Sequence, residues 1–151
     1  MTDYSEKFEK MRVAGKLAAK TLDMLTDNIK PGITTEFIDK LGYEFIRDNG
    51  AYSAPLFYRG FKKSLCTSLN HVVCHGIPSD RVLNEGDALN VDVTAIVDEH
   101  YGDTSRMFCI GKTPIKVNNL IDATYESMMR AIKLLKPGLR LGDIGHEIQS
   151  F

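Results

Sequence analysis

Apolar residues recur at three- and four-residue steps between about Tyr4 and Asn28, at Phe8, Met11, Gly15, Ala18, Leu22 and Leu25. That spacing predicts an amphipathic helix. Lys30-Pro31-Gly32 stops it. A second stripe, Phe37, Ile38, Leu41, Phe45 and Ile46, follows Thr34 as N-cap and Glu36 in the first turn, and ends at Asn49-Gly50. From Ala51 to Lys63 the pattern breaks into aromatics around Pro55 and Gly60, read as a loop or short strand. Ser64 to Cys74 reads as a strand interrupted at Asn70-His71, with His75 at its end just before Gly76-Ile77-Pro78. Asp80 to Asp87 connects onward.

The period then changes to two. Leu89, Val91, Val93, Ala95 and Val97 share one face, and Asn90, Asp92 and Thr94 the other. This predicts a half-buried strand. Asp98-Glu99-His100-Tyr101-Gly102 reads as a turn, after which the chain returns through Thr104 to Ile110 as an antiparallel partner. Asp92 and Asp103 are unusual there, because Asp is disfavoured in strands. They stand eleven residues apart, which puts both on one face of a hairpin with an even-length loop. Two carboxylates so placed repel unless a cation lies between them, and oxygen donors suit a divalent metal. The spacing alone favours Asp103 as a turn residue after Gly102 and Asp92 as an edge carboxylate facing water.

Beyond Thr113-Pro114 a third helix is expected from about Val117 to Lys136, with Leu120, Ile121, Thr124, Met128, Ile132 and Leu135 as its apolar face. Met128 and Met129 are read as core fillers. Lys136-Pro137-Gly138 and the helix start after it echo Lys30-Pro31-Gly32 at an offset of 106 residues. The order helix, stop, helix recurs, so an internal repeat is expected whose second copy is unfinished at Phe151. His146 and Glu147 fall on the second helix of that copy and are assigned to a solvated face.

The chain has 151 residues, 43% hydrophobic and 26% charged, as in one soluble domain, and a formal net charge of −1. Nothing in that charge attracts polyanions, so no nucleic-acid site is expected. The polar start at Met1-Thr2-Asp3 and the lack of a long apolar run lead to a cytoplasmic expectation without membrane contact. Cys66, Cys74 and Cys109 form no C-x-x-C and are expected to be buried strand thiols.

Three runs carry a resemblance. Ser68-Leu69-Asn70-His71-Val72-Val73-Cys74-His75-Gly76-Ile77-Pro78, Asn90-Val91-Asp92-Val93-Thr94 and Tyr101-Gly102-Asp103-Thr104-Ser105-Arg106-Met107-Phe108 closely resemble type I methionine aminopeptidases. The resemblance extends from Glu9 to the end of the chain. It implies an α+β fold, the N-terminal half of a pita-bread architecture, with an antiparallel sheet carrying amphipathic helices on one face. Residues 1–111 would be the first pseudo-repeat and 112–151 the incomplete second, together a partial catalytic domain.

The same resemblance implies a metal-dependent aminopeptidase that removes the initiator methionine from nascent proteins whose second residue is small. Met1-Thr2 would itself qualify as such a substrate. Asp92 and Asp103 match two of five residues that hold a pair of divalent metals (Co, Mn, Fe or Zn). The remaining His and two Glu ligands are absent from these residues, which makes activity of the 151-residue chain alone doubtful. His75 matches a residue that contacts the substrate and supplies a hydrogen bond or proton, and Tyr58 matches one lining the pocket for the methionine side chain. Pro55, Arg59 and His71 depart from what bacterial members often carry at those positions, a Cys, a His and an acidic residue. Nascent polypeptide N-termini, near the ribosome, would be the partners, and the chain is expected to self-associate. Other readings are a catalytically incomplete module binding peptides or proteins, or an Xaa-Pro metallopeptidase.

Overall fold

The computed structural model describes residues 4–151, so the polar start read at Met1-Thr2-Asp3 lies outside the described residues. Strand β3 (Ala88–Val97) is the centre of the sheet. Along one edge it pairs in full register with β4 (His100–Cys109). Along the other it pairs with β2 (Cys66–Leu69) at residues 89–92 and with the short β1 (Tyr52–Ser53) at Ala95 and Ile96. All pairings are antiparallel.

The hairpin turn is tighter than the five-residue segment read from the sequence. Only Asp98 and Glu99 lie between the strands, at φ +46° and +63°. Two left-handed residues in succession twist the chain as the paired strands require, so His100 to Gly102 join the ladder instead of the turn. The even loop length survives, and with it the shared face of the two Asp residues.

Leu89, Val91, Val93 and Ala95 are fully buried beneath the helices. Helix α1 (Ser5–Thr26) packs on β3 and β4, and α2 (Thr35–Asp48) packs on α1, β1 and β2. Burial along α1 begins at Ala14 and includes Leu17, Ala18, Thr21, Leu22 and Leu25. Phe8 and Met11, expected in the stripe, are half exposed because their turns precede the stretch that meets the sheet. Thr34 caps α2 as expected, its side chain accepting from the Phe37 N–H at 3.1 Å. Gly102 lets α1 approach β4 closely: a Cβ there would stand 2.1 Å from backbone atoms of Ala14 and Gly15.

Residues 114–151 form a second compact unit, α3 (Ile115–Leu134) meeting α4 (Leu141–Ser150). Arg130 pairs with Glu126 at 2.9 Å and covers the Phe151 ring. The face of α3 expected in a core is largely in solvent: Leu120 is 68% exposed, and Met128, Ile132 and Leu135 are also exposed. Ala131 is the buried residue of this helix, and Met128 is not a core filler. Gly138 has φ +92° and Gly32 φ +93°, and α4 begins 106 residues after α2, the same offset as the Lys-Pro-Gly pair. Among the described residues no helix is long and apolar enough to cross a membrane.

Candidate metal centre and substrate pocket

The buried face of β3 turns Asn90, Asp92 and Thr94 the other way. Register places Asp92 opposite Ser105 and Thr94 opposite Asp103. Asp92 and Asp103 are therefore diagonal neighbours on one face of the sheet. Asp103 lies within β4, not in a turn, and Asp92 lies on the central strand, not an edge. Thr94 Oγ1 donates to Asp103 Oδ1 at 2.9 Å and so fixes one carboxylate. The Asp92 carboxyl is held above the usual carboxylate range, first by burial and then by the charge and hydrogen bond of Asp103, with His75 working in the opposite direction.

His75 does not end a strand. β2 stops at Leu69, Asn70 takes φ +53°, and the strand expected to continue toward Cys74 does not resume. The reason is local: Asn70 turns its side chain onto Asp87 at 2.8 Å and accepts from the Ala88 N–H at 3.0 Å, closing the 70–88 excursion. His75 itself has φ +55° and is followed by a glycine locked on β2. The Gly76 carbonyl accepts from the Thr67 N–H at 2.8 Å, and its N–H donates to Ser68 Oγ at 3.1 Å. A Cβ on Gly76 would meet the Thr67 carbonyl oxygen at 2.1 Å. That contact fixes where His75 is presented.

Cys66 is a buried strand thiol as expected, its pKa pushed up to about 11 by burial and then by neighbouring Asp92. Cys74 and Cys109 correct the expectation, since both are exposed. Cys74 sits on the loop beyond β2, and Cys109 on the face of β4 turned away from the helices.

These groups share a pocket of about 700 Å³. Asp92, Thr94 and Asp103 line it from the sheet, with His75, Ile77 and Cys66 beside them. Ala54, Pro55, Tyr58, Arg59, Gly60 and Phe61 line it from the loop after β1, and Tyr101 from β4. That loop is closed on itself: the Phe57 N–H donates to the Phe61 carbonyl at 2.7 Å and the Tyr58 N–H to the Pro55 carbonyl at 2.9 Å. Phe57 and Arg59 take φ +69° and +47°, conformations that cost non-glycine residues about 1–2 kcal/mol each. Buried Asp39 of α2 anchors the loop's far end, its Oδ1 accepting from the Ser64 N–H, the Ser64 hydroxyl and the Leu65 N–H at 2.7, 2.6 and 3.1 Å. Lys63 bonds Glu36 alongside.

The structure thus brings Tyr58, His75, Asp92 and Asp103 to one pocket. It adds Thr94, Tyr101, Arg59 and Ile77. Thr94 was signalled by its place on the face of Asp92, Arg59 by its departure from the family pattern, and Ile77 and Tyr101 by lying within the motif runs. His71 is exposed and is not among the pocket residues. His146 is exposed on α4, whereas Glu147 is partly covered rather than fully solvated.

Among the described residues no three His, Cys, Asp or Glu side chains gather as a metal site. The carboxylate pair nevertheless fits a divalent cation as part of a larger oxygen-rich set. A divalent cation between them would offset the burial and the mutual repulsion that raise the Asp92 pKa, and hard oxygen donors suit it.

The chain matches the model of metallopeptidase family M24 over residues 9–151. It is 55% identical over 149 residues to a methionine aminopeptidase of Rickettsia prowazekii, covering 98% of this chain and 58% of that protein. A crystal structure of methionine aminopeptidase from the same organism superposes with a TM-score of 0.96 at 53% identity, over 99% of this chain and 60% of that one. An Xaa-Pro dipeptidase of Bacillus anthracis superposes at 0.85 with 18% identity, over 97% of this chain and 40% of that one, which shows a common fold. The chain spans about half the length of the curated relatives it matches, 51–58%. Its α+β architecture, helices on one face of an antiparallel sheet, is that of the pita-bread proteins, and the chain belongs to metallopeptidase family M24.

Proposed function

We propose that this chain is part of a metal-dependent methionyl aminopeptidase, acting on nascent polypeptides that begin with methionine followed by a small residue. The observation that carries this reading is the Asp92–Asp103 pair facing a pocket that also holds His75. Asp103, oriented by Thr94, and Asp92 would hold a pair of divalent ions, Co, Mn, Fe or Zn. When bound, such a pair activates water and polarises the scissile carbonyl. The family's remaining His and two Glu ligands would come from outside these 151 residues. His75 would donate to the peptide bond being cleaved, where negative charge develops on the carbonyl oxygen. Tyr58, Phe61 and Ile77 would enclose the methionine side chain, an apolar chain whose transfer from water is worth about 1.5–3 kcal/mol.

The reading includes a cytoplasmic setting near the ribosome and association of the chain with itself. It also takes residues 112–151 as the opening of a second pseudo-repeat after the first, residues 1–111. Matching left-handed glycines at Gly32 and Gly138 support it. A proline-directed peptidase is not better supported, because the proline peptidases among the similar structures share 16–20% identity with this chain.

The test uses protein expressed from the complete reading frame. Asp103→Ala should abolish methionine release from Met-Ala-Ser with added Mn²⁺, and Asp92→Asn should weaken metal binding by at least about 10–100-fold. Xaa-Pro peptides run alongside should not be cleaved. Wild-type metal content and turnover in both variants would remove the assignment.

A further inference from the structure

The pocket has two chemically different sides. The sheet presents two carboxylates, and the loop after β1 presents a guanidinium, that of Arg59. Five other arginine side chains are paired. Arg12, Arg47, Arg81, Arg106 and Arg130 each lie within 4 Å of a carboxylate of this chain. Among the described residues Arg59 pairs with none, Asp92 and Asp103 included, although all three line one pocket. Its guanidinium lies over the Tyr58 ring, the carbon 5.4 Å from the ring centroid.

The backbone shows that this placement is built. Arg59 stands at φ +47°, two residues after Phe57 at φ +69°, in a loop closed by its own backbone hydrogen bonds. A bulky residue in the left-handed region needs surroundings that impose it. Here they set Arg59 in the pocket lining with its guanidinium over the Tyr58 ring, which lowers the entropy lost when it binds. The cavity, about 700 Å³, accommodates a short peptide segment.

We infer that Arg59 is a specificity residue that reads a carboxylate side chain downstream of the cleaved bond, at the third or fourth residue of the substrate. The charges run in that order. A peptide's free amine belongs beside the carboxylate side of the pocket, and the chain then leads outward, gaining about 3.3–3.6 Å per residue when extended. A Glu or Asp two or three residues along meets the guanidinium of Arg59, which lines the same pocket. Arginine favours carboxylates because two N–H groups can bind both oxygens at once. This inference rests on the aminopeptidase reading for the direction of the peptide.

The experiment compares Met-Ala-Glu-Ser, Met-Ala-Ser-Glu, Met-Ala-Gln-Ser and Met-Ala-Lys-Ser, all amidated at the C-terminus so that only a side chain supplies a carboxylate. Protein from the complete reading frame is assayed for kcat/KM of methionine release and for equilibrium binding, as wild type, Arg59→Gln and Arg59→Glu. Wild type should favour one of the Glu peptides over the Gln peptide by about 5–10-fold. The ratio should fall to about one in Arg59→Gln, and Arg59→Glu should favour the Lys peptide. Equal treatment of Glu and Gln peptides by wild type, or a ratio that persists in Arg59→Gln, overturns the inference while methionine release upholds the aminopeptidase. Charge-selective binding without methionine release upholds Arg59 and removes the aminopeptidase. Failure to bind any of the peptides overturns the inference.

Discussion

At the scale of single residues, the pocket depends on side chains that do no chemistry. Asp87 is the clearest. It is buried, its Oδ1 accepts from Asn70 Nδ2 and its Oδ2 from the Asn84 N–H, both at 2.8 Å, with Arg81 nearby at 3.9 Å. Burial alone would raise its pKa, but these hydrogen bonds and the Arg81 charge outweigh burial and leave it below the usual range. A carboxylate lowered in the folded state stabilises the fold above the ordinary Asp pKa, and that contribution is lost as pH falls through the folded value. Asp87→Asn presents an amide where an acceptor is needed and should cost about 1–3 kcal/mol near pH 7. Melting curves of wild type and variant should draw together as pH falls below the ordinary Asp pKa of about 3.9 and meet only below the lower value of the folded state. A gap that does not change with pH would mean that charge plays no part in the clamp.

At the scale of elements, α1 and β4 are held at a separation only glycine permits. In Gly102→Ala the new Cβ would lie 2.1 Å from helix backbone, which has no flexible tip to move aside. The helix must lift from the sheet, at a cost of about 1–3 kcal/mol. Gly15→Ala is the control: a Cβ there meets nothing within 4 Å, and helix propensity should add up to about 1 kcal/mol. Chemical denaturation of the two variants should therefore move in opposite directions, and equal midpoints would show that α1 does not rest on Gly102. The difference also marks where sequence reading stops. The strand alternation, the Thr34 cap, the stops at Gly32 and Gly50 and the shared face of the two Asp residues were legible, because each depends on neighbours a few positions away. Three other features were not: the Gly102 contact, the grip of Asp39 on Ser64 and the end of β2 at Asn70. Each is set by a partner from 17 to more than 80 positions off, and residue type alone carries no such distance. The motif resemblance reached His75 and Tyr58, yet the contact by which Gly76 fixes His75 and the left-handed conformations beside Tyr58 are set by the folded chain.

At the scale of the whole molecule, the two units bury apolar surface unequally. The sheet unit encloses Leu22, Leu25, Ile38, Ile46, Leu65 and the inward residues of β3 almost completely. On the helical pair, Leu120, Tyr125, Ile132, Leu135, Leu141 and Phe151 remain exposed. An aliphatic side chain fully removed from water contributes about 1.5–3 kcal/mol, so several together can drive association. Stable dimers bury about 1,200–2,000 Å² in total, an area within reach of two such helical pairs. The 151-residue chain should therefore sediment with a concentration-dependent mass, and dye that binds exposed apolar surface should report the same transition. Leu120→Lys with Ile132→Lys should return it to monomer without lowering the melting temperature, since both residues are exposed rather than core. A wild-type chain that stays monomeric across its soluble range, or a double variant that associates as before, would show that the helical face does not drive association. A double variant that melts lower would show that this face supports the fold instead.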